Sequence, residues 1–498
     1  MIRLFKVGVT LIMLSVMCGS CAGSSDVSSP GASNSTGSKG IVTSSAAQTN
    51  SASSASSQIP SVPQSEEFVL PGLISNYMVL QRNSSMTLWG NYSTDGPLTA
   101  EINGKTYTGE CKDGYFEIDI VTGNETESFD LTIFSATEKT VIKNVVLGEV
   151  FLCAGQSNMQ LTMSYIEAPE LSENTPFNHI RFVNVPVQNT LDVVTSPATD
   201  VPLKWEILFN STLPGFSAVA YYFGEEMYRN LKVPIGIIWV AAGDTIIASW
   251  LPAEDAKTIE TVYQEERAMT HVRSTSHMFY TMVSPILKYK ARGVIWYQGE
   301  NQPYKYDEYL TKLINVWRRE FNNDKLEFTV IQLPGMDNSW NKGWPEIREA
   351  QKQVSETLSD CALSINIDCG EKPEIHPKDK KPIGIRAADV TLDRFFGIQD
   401  LPQSPMVQSY SVIGTQFVVE FNNAADGLIL KNNGIGFEIS AGDVFYPAMA
   451  TVEGNKVFLS SPEVSKPAKA RYAYANWPEV SLYNKADMPA EPFDLATK

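Results

Sequence analysis

Histidine is scarce in this chain: His179, His271, His277 and His376 are all there are in 498 residues. Histidine is the side chain that ordinarily titrates near pH 7, so a reaction needing a neutral base has few places to find one. Cationic charge is also in deficit. Against 56 Asp and Glu stand 39 Lys and Arg, a formal net charge of −17, which excludes the basic face that binding to a phosphate backbone demands. Cysteines number six, with no metal-type spacing and too few for a disulfide scaffold. The apolar run Val7 to Met17 falls short of the roughly 20 residues that span a bilayer. What the chain has in quantity is core material. A 43% hydrophobic fraction with 10% aromatics supports several ordinary globular domains.

Arg3 and Lys6 precede that apolar run, the arrangement of a secretory signal over 1–21. Small residues before Cys21 resemble a bacterial lipobox, although Cys18 stands three residues upstream where leucine is usual. Cys21 is then expected to be the lipidated first residue of a bacterial cell-surface protein, or the product is secreted if no lipid is added. Residues 22–66, rich in Ser, Ala, Thr and Gly, lack the apolar surface that would offset ordering entropy and read as a flexible tether. Cys111, Cys153, Cys361 and Cys369 remain, expected mainly as buried thiols, with a Cys361–Cys369 bridge left open.

Three textures follow. Over 67–146, short β-prone runs alternate with turns such as Asp95-Gly96, Asn103-Gly104 and Asp113-Gly114, the pattern of a small antiparallel sandwich. From 147 to 399, apolar strands alternate with helical stripes, for example Phe216, Val219, Ala220, Phe223 and Met227 followed by the strand up to Ala242. That alternation predicts an α/β fold with a parallel sheet covered on both faces, its strand ends sharing one ligand-binding rim. Over 400–498 the chain is β-rich again, either a second sandwich or strands completing the first.

The stretch Gly148 to Met163, GEVFLCAGQSNMQLTM, holds the chemistry. An apolar strand breaks at Gly155 and presents Ser157, the way a hydrolase exposes a nucleophile with backbone N–H groups free for an oxyanion. The same pattern also suits a serine that merely caps a helix. Two further strand ends carry suitable groups: Gly243 in AAGDT offers a backbone N–H and Gln298 in WYQGEN a side-chain amide, which with the Ser157 N–H makes a three-donor oxyanion hole. His376, in EIHPKDKKPIGIRAA, follows the last strand and is the expected base. Its carboxylate partner is Glu374 or Asp368; the position three before the histidine, where an aspartate is common in esterases, is Pro373, so a Ser-His dyad stays open.

These blocks, with ARGVIWYQGEN, VIQLPGM, WPEIREAQ, LPGLISNYMVLQRN and RYAYANWP, resemble the sialate O-acetylesterase-like carbohydrate esterases of the SGNH hydrolase superfamily over about Leu70 to Phe493. The resemblance implies an SGNH-like three-layer core with accessory all-β regions on its N- and C-terminal sides. It implies Ser157 as nucleophile, Gly243 and Gln298 as oxyanion donors, His376 as base, no metal or other cofactor, and an acetylated carbohydrate as substrate. Three departures stand out: Asp244 where the family often has a second glycine, Tyr280 where it has asparagine, and Glu374 where it has aspartate.

Overall fold

One strand, Lys139–Gly155, organises the molecule. The computed structural model describes residues 67–166, 179–188, 196–198, 201–263, 274–300, 304–337 and 343–497. The expected signal with Cys21, the tether 22–66 and His271 lie outside them. The first half of the long strand pairs antiparallel with Phe129–Phe134, and its second half pairs in parallel with Ile235–Ala241 and Gly293–Tyr297. The expected boundary at 146/147 therefore falls inside a continuous strand, where hydrogen bonding carries the N-terminal β region directly into the α/β core.

In that N-terminal region an antiparallel ladder joins all the strands except Val79–Gln81, which pairs in parallel with the long strand, and alternate residues form the core; Phe116, Ile118 and Ile120 are buried while their neighbours face solvent. Period-two alternation made most of these strands legible. Lys105–Lys112 was not, because nearly all of its side chains lie outside the core and only backbone pairing to both neighbours defines it.

Within the core the order across the sheet is Ile180–Asn184, Ile235–Ala241, Lys139–Gly155, Gly293–Tyr297, Glu327–Ile331, Cys361–Ser364, all parallel. The chain leaves the central strand to one side and later returns to build on the other, which places a topological switch point at the C-terminal end of Lys139–Gly155, where open α/β sheets bind ligands. Helices cover both faces. Phe328 packs its ring 6.3 Å from Trp317 of α4 (Tyr306–Glu320), and the next residue, Thr329, shares a 2.7 Å hydrogen bond with Thr391 of α6 (Lys381–Phe396). Successive strand residues point to opposite faces, so α4 and α6 lie on opposite sides of the sheet. Helix α2 (Ala218–Leu231) joins α6 on one side: Phe151 meets Phe223 edge-on at 5.1 Å, and a Cβ built on Gly384 would stand 2.6 Å from Tyr222 Cβ. The three-layer α/β core is thus as expected.

The C-terminal strands form their own sheets, without pairing to the N-terminal ladder. Met406–Ile413, Gln416–Asn422, Lys456–Ser460 and Met449–Glu453 make one four-stranded sheet. Phe437–Ser440, Lys469–Tyr472 and Phe493–Ala496 belong to a second, and Phe421 of the first packs 6.3 Å from Phe493 of the second. A second sandwich-like unit is therefore the arrangement found. Cys361 and Cys369 are free thiols, as are Cys111 and Cys153, so the bridge left open by sequence is not made.

Candidate active site

Gly155 ends the central strand at φ +140, and a Cβ there would stand 2.1 Å from the Tyr297 carbonyl. Only glycine permits both the angle and the approach. The next residue, Gln156, donates its N–H to that carbonyl at 3.0 Å and accepts from the Gly299 N–H at 3.1 Å through its side chain. Ser157 then opens α1 (Ser157–Gln160), a single helical turn. The helix-capping position belongs to Gln156, not to Ser157. As the first residue of the turn, Ser157 has an N–H without an intrahelical acceptor.

His376 Nε2 lies 2.8 Å from Ser157 Oγ. The ring belongs to a loop between Cys361–Ser364 and α6, and Tyr165 steadies that loop by donating its hydroxyl to the His376 carbonyl at 3.3 Å. Burial pushes the His376 imidazole below its ordinary range and the charge on Lys380 adds to this, while Glu374 opposes both. The ring is accordingly neutral near pH 7, with a lone pair available toward Oγ. His179 is elsewhere, paired with Glu225 at 2.8 Å and stacked on Tyr228, and His277 is buried with Nε2 3.4 Å from the Gln188 carbonyl.

Of the two carboxylate candidates, Glu374 is the one near His376, its Oε1 3.5 Å from Nδ1. Asp368 is corrected to a different role. Its two oxygens accept from Arg386 at 2.6 and 3.1 Å, a bidentate pair that ties the end of the strand region to α6. A guanidinium fork matches a carboxylate better than one imidazole N–H does, so that pairing holds Asp368.

Of the two residues expected to donate to an oxyanion, Gly243 lies beside Ser157, and the donors of both are engaged. A Cβ on Gly243 would be 3.4 Å from Ser157 Cβ, so its peptide borders that serine. Its N–H donates to Gln160 Oε1 at 2.8 Å. Gln298 is fully buried; its Nε2 donates to the Thr245 carbonyl at 3.3 Å and its Oε1 accepts from Tyr306 at 2.8 Å. It braces the AAGDT turn. Asp244 is exposed at φ +61, the left-handed region that a glycine would occupy without strain. The Tyr280 hydroxyl accepts from the Ala253 N–H at 3.2 Å, at the start of α3 (Ala253–Tyr263).

Sequence reading missed three residues at this site. Asn158 is buried directly after the serine and bonded to Glu300 and the Ile375 carbonyl, and Lys380 donates to it. Glu300 and Lys380 sit in polar, loop-like motifs where charge ordinarily means exposure, so nothing local marked them.

Residues 147–389 match the family described as "Carbohydrate esterase, sialic acid-specific acetylesterase". The sialate O-acetylesterase of Homo sapiens is 26% identical over 397 residues, covering 71% of this chain and 76% of that protein. For the sialate O-acetylesterase of Mus musculus the identity is 25% over 422 residues, with 71% and 78% covered. Among solved structures, a carbohydrate acetylesterase from Xanthomonas citri superposes with a TM-score of 0.77 at 25% identity, covering 87% of this chain and 100% of that one. The chain is a carboxylic ester hydrolase.

Proposed function

We propose, from the premise that the chain belongs to the sialate O-acetylesterase-like carbohydrate esterases, that it removes O-acetyl groups from sugars through an acetyl-serine intermediate. One observation carries this reading: the 2.8 Å contact between His376 Nε2 and Ser157 Oγ, at the switch point of a parallel sheet. Ser157 Oγ attacks the acetyl carbonyl carbon while His376 takes its proton. The carbonyl oxygen, now negative, is received by the Ser157 and Gly243 N–H groups and by the second Nε2 hydrogen of Gln298, once it has displaced Gln160 Oε1 from Gly243. Collapse breaks the bond to the sugar oxygen, which leaves with the proton from His376. Water then repeats the sequence on the acetyl-enzyme, His376 taking its proton and returning it to Ser157 as acetate departs. Glu374 stabilises the transient imidazolium.

Sialic acid and acetylated plant polysaccharide are both compatible acceptors, and a panel decides between them. Acetate release is measured from p-nitrophenyl acetate, O-acetylated sialosides and O-acetylated xylan. Loss of release in Ser157→Ala is the expected result; no release by the wild type, or release that survives Ser157→Ala, overturns the proposal.

A second reading, a surface carbohydrate-binding protein without turnover, draws on the occupation of the Gly243 N–H by Gln160. Equal glycan binding by wild type and Ser157→Ala with no acetate released would support it. Among the described residues no helix is long and apolar enough to cross a membrane. The proposed location is the outside of a bacterial cell, held by a lipid on Cys21; mass spectrometry of the mature N-terminus tests it.

A further inference from the structure

Next to the nucleophile lies a buried charged cluster that the acetyl-transfer steps leave unused. Asn158 is 1% exposed, and both ends of its amide are taken. Its Oδ1 accepts from Lys380 Nζ, and its Nδ2 donates to Glu300 Oε1 at 2.8 Å and to the Ile375 carbonyl at 3.1 Å. Lys380 and Glu300 are themselves 0% and 1% exposed. Two segments distant from Asn158 in sequence thus meet on its amide: the end of the Gly293–Tyr297 strand, and the loop that carries His376 and runs into the Lys380 cap of α6.

Taking an ammonium and a carboxylate out of water is costly unless each finds a partner, and here the two ends of the same amide dipole supply one apiece. Burial pushes Lys380 down to about 7 and Glu300 up, while each charge draws the other back toward ionisation. The groups facing Lys380 are Glu300, Cys369, Glu371 and Glu374, and His376 feels the Lys380 charge in turn. The Ile375 carbonyl is the backbone group just before the base. Asn158 grips it, and Tyr165 grips the following carbonyl.

We propose that Lys380 and Glu300 are positioning residues: by locking Asn158 they fix the Ile375 carbonyl and hold the His376 ring against Ser157. This inference rests on the Ser157–His376 reading given above. It assigns to two charges remote from the acetyl group the task of keeping a nucleophile and a base, carried by separate elements, in one geometry.

The test uses the full chain with p-nitrophenyl acetate and the variants Lys380→Met, Glu300→Ala, Glu300→Gln and Ser157→Ala, with folding followed by thermal unfolding. Misplacing a reacting group by about 1 Å can cost on the order of 100-fold, so Lys380→Met and Glu300→Ala are expected to lower kcat by roughly 10- to 100-fold with KM changed less than about threefold. Glu300→Gln keeps an acceptor for Asn158 and is expected to recover most of the loss. Lys380→Met also removes a charge that disfavours protonated His376, so the acid limb of its pH profile moves upward. A kcat within about twofold of wild type in both Lys380→Met and Glu300→Ala overturns the inference, as does a Glu300→Gln no better than Glu300→Ala. If Lys380→Met does not fold, the Glu300 pair decides by the same criteria. Turnover that survives Ser157→Ala would instead sink the underlying Ser-His reading, whereas turnover lost there and retained in the Lys380 and Glu300 variants sinks this inference alone.

Discussion

Glu374 Oε1 lies 3.5 Å from His376 Nδ1 and closer, 3.1 Å, to the backbone N–H of the same histidine. The carboxylate is 45% exposed. Its tie to the imidazole is therefore longer than a good charge-assisted hydrogen bond and is shared with the loop it helps to shape. A water-accessible carboxylate stabilises an imidazolium less than a buried one would, because solvent screens it.

Glu374→Gln is accordingly expected to lower kcat by roughly 10- to 100-fold, well short of the ~10⁴-fold associated with losing a buried triad carboxylate. Ser157→Ala and His376→Ala should each cost more than Glu374→Gln. Parallel kinetics on the three variants check the order. A Glu374→Gln variant equal to wild type would make the pair a dyad.

The acid limb of kcat/KM should fall below the ordinary histidine value of about 6.5, because the base works only when unprotonated and burial with Lys380 lowers its pKa. Glu374 opposes that lowering, so Glu374→Gln should move the limb further toward acid. Asp368→Asn should leave it in place, since Asp368 is engaged with Arg386. A pH profile for each variant distinguishes the two carboxylates.

Gln160 Oε1 accepts from the Gly243 N–H, so in the proposed mechanism it competes with substrate for that donor. A hydrogen bond of this kind is worth about 0.5–1.5 kcal/mol net, so Gln160→Ala is expected to raise kcat/KM by roughly 2- to 10-fold. If kcat/KM instead drops, Gln160 orients the Gly243 peptide rather than occupying it.

Gly155→Ala should be among the most damaging single changes in the core. Its Cβ would meet the Tyr297 carbonyl oxygen at 2.1 Å with φ at +140, so the central strand and the serine turn must both shift. Loss of at least about 2–3 kcal/mol in stability, with activity lost in whatever protein folds, is the expected outcome in chemical denaturation and esterase assays.

Asp389 on α6 is buried, and that burial, with Glu226 across on α2, pushes its carboxyl up to about 7 against the opposing pull of Arg229. The unfolded value is about 3.9. Because the folded value is the higher one, stability is fully present below the unfolded pKa and is lost as pH rises from about 4 to 7. Asp389→Asn should therefore raise the thermal midpoint at pH 8, by an amount equivalent to roughly 1–4 kcal/mol, and the gain should shrink toward pH 4. An equal gain at both pH values would count against this account.

By itself the sequence specified the alternating strands and helices of the core, the glycine break before Ser157 and the loop histidine, His376, that the fold brings to 2.8 Å from Ser157 Oγ. Each rests on local patterning: apolar periodicity, a glycine at a strand end, one histidine in a loop after the last strand. The N-terminal strands were legible for the same reason, and Lys105–Lys112 escaped because a strand with almost no buried side chain leaves no alternation to see. Tertiary structure alone decided what depends on contacts between distant segments. It gave Asp368 to Arg386, set Glu374 beside His376, ran one strand through an expected domain boundary and placed Gln160 on the Gly243 N–H. It also buried Lys380 and Glu300 around Asn158, because the low-dielectric interior that makes those charges consequential is built by residues far from them in the chain.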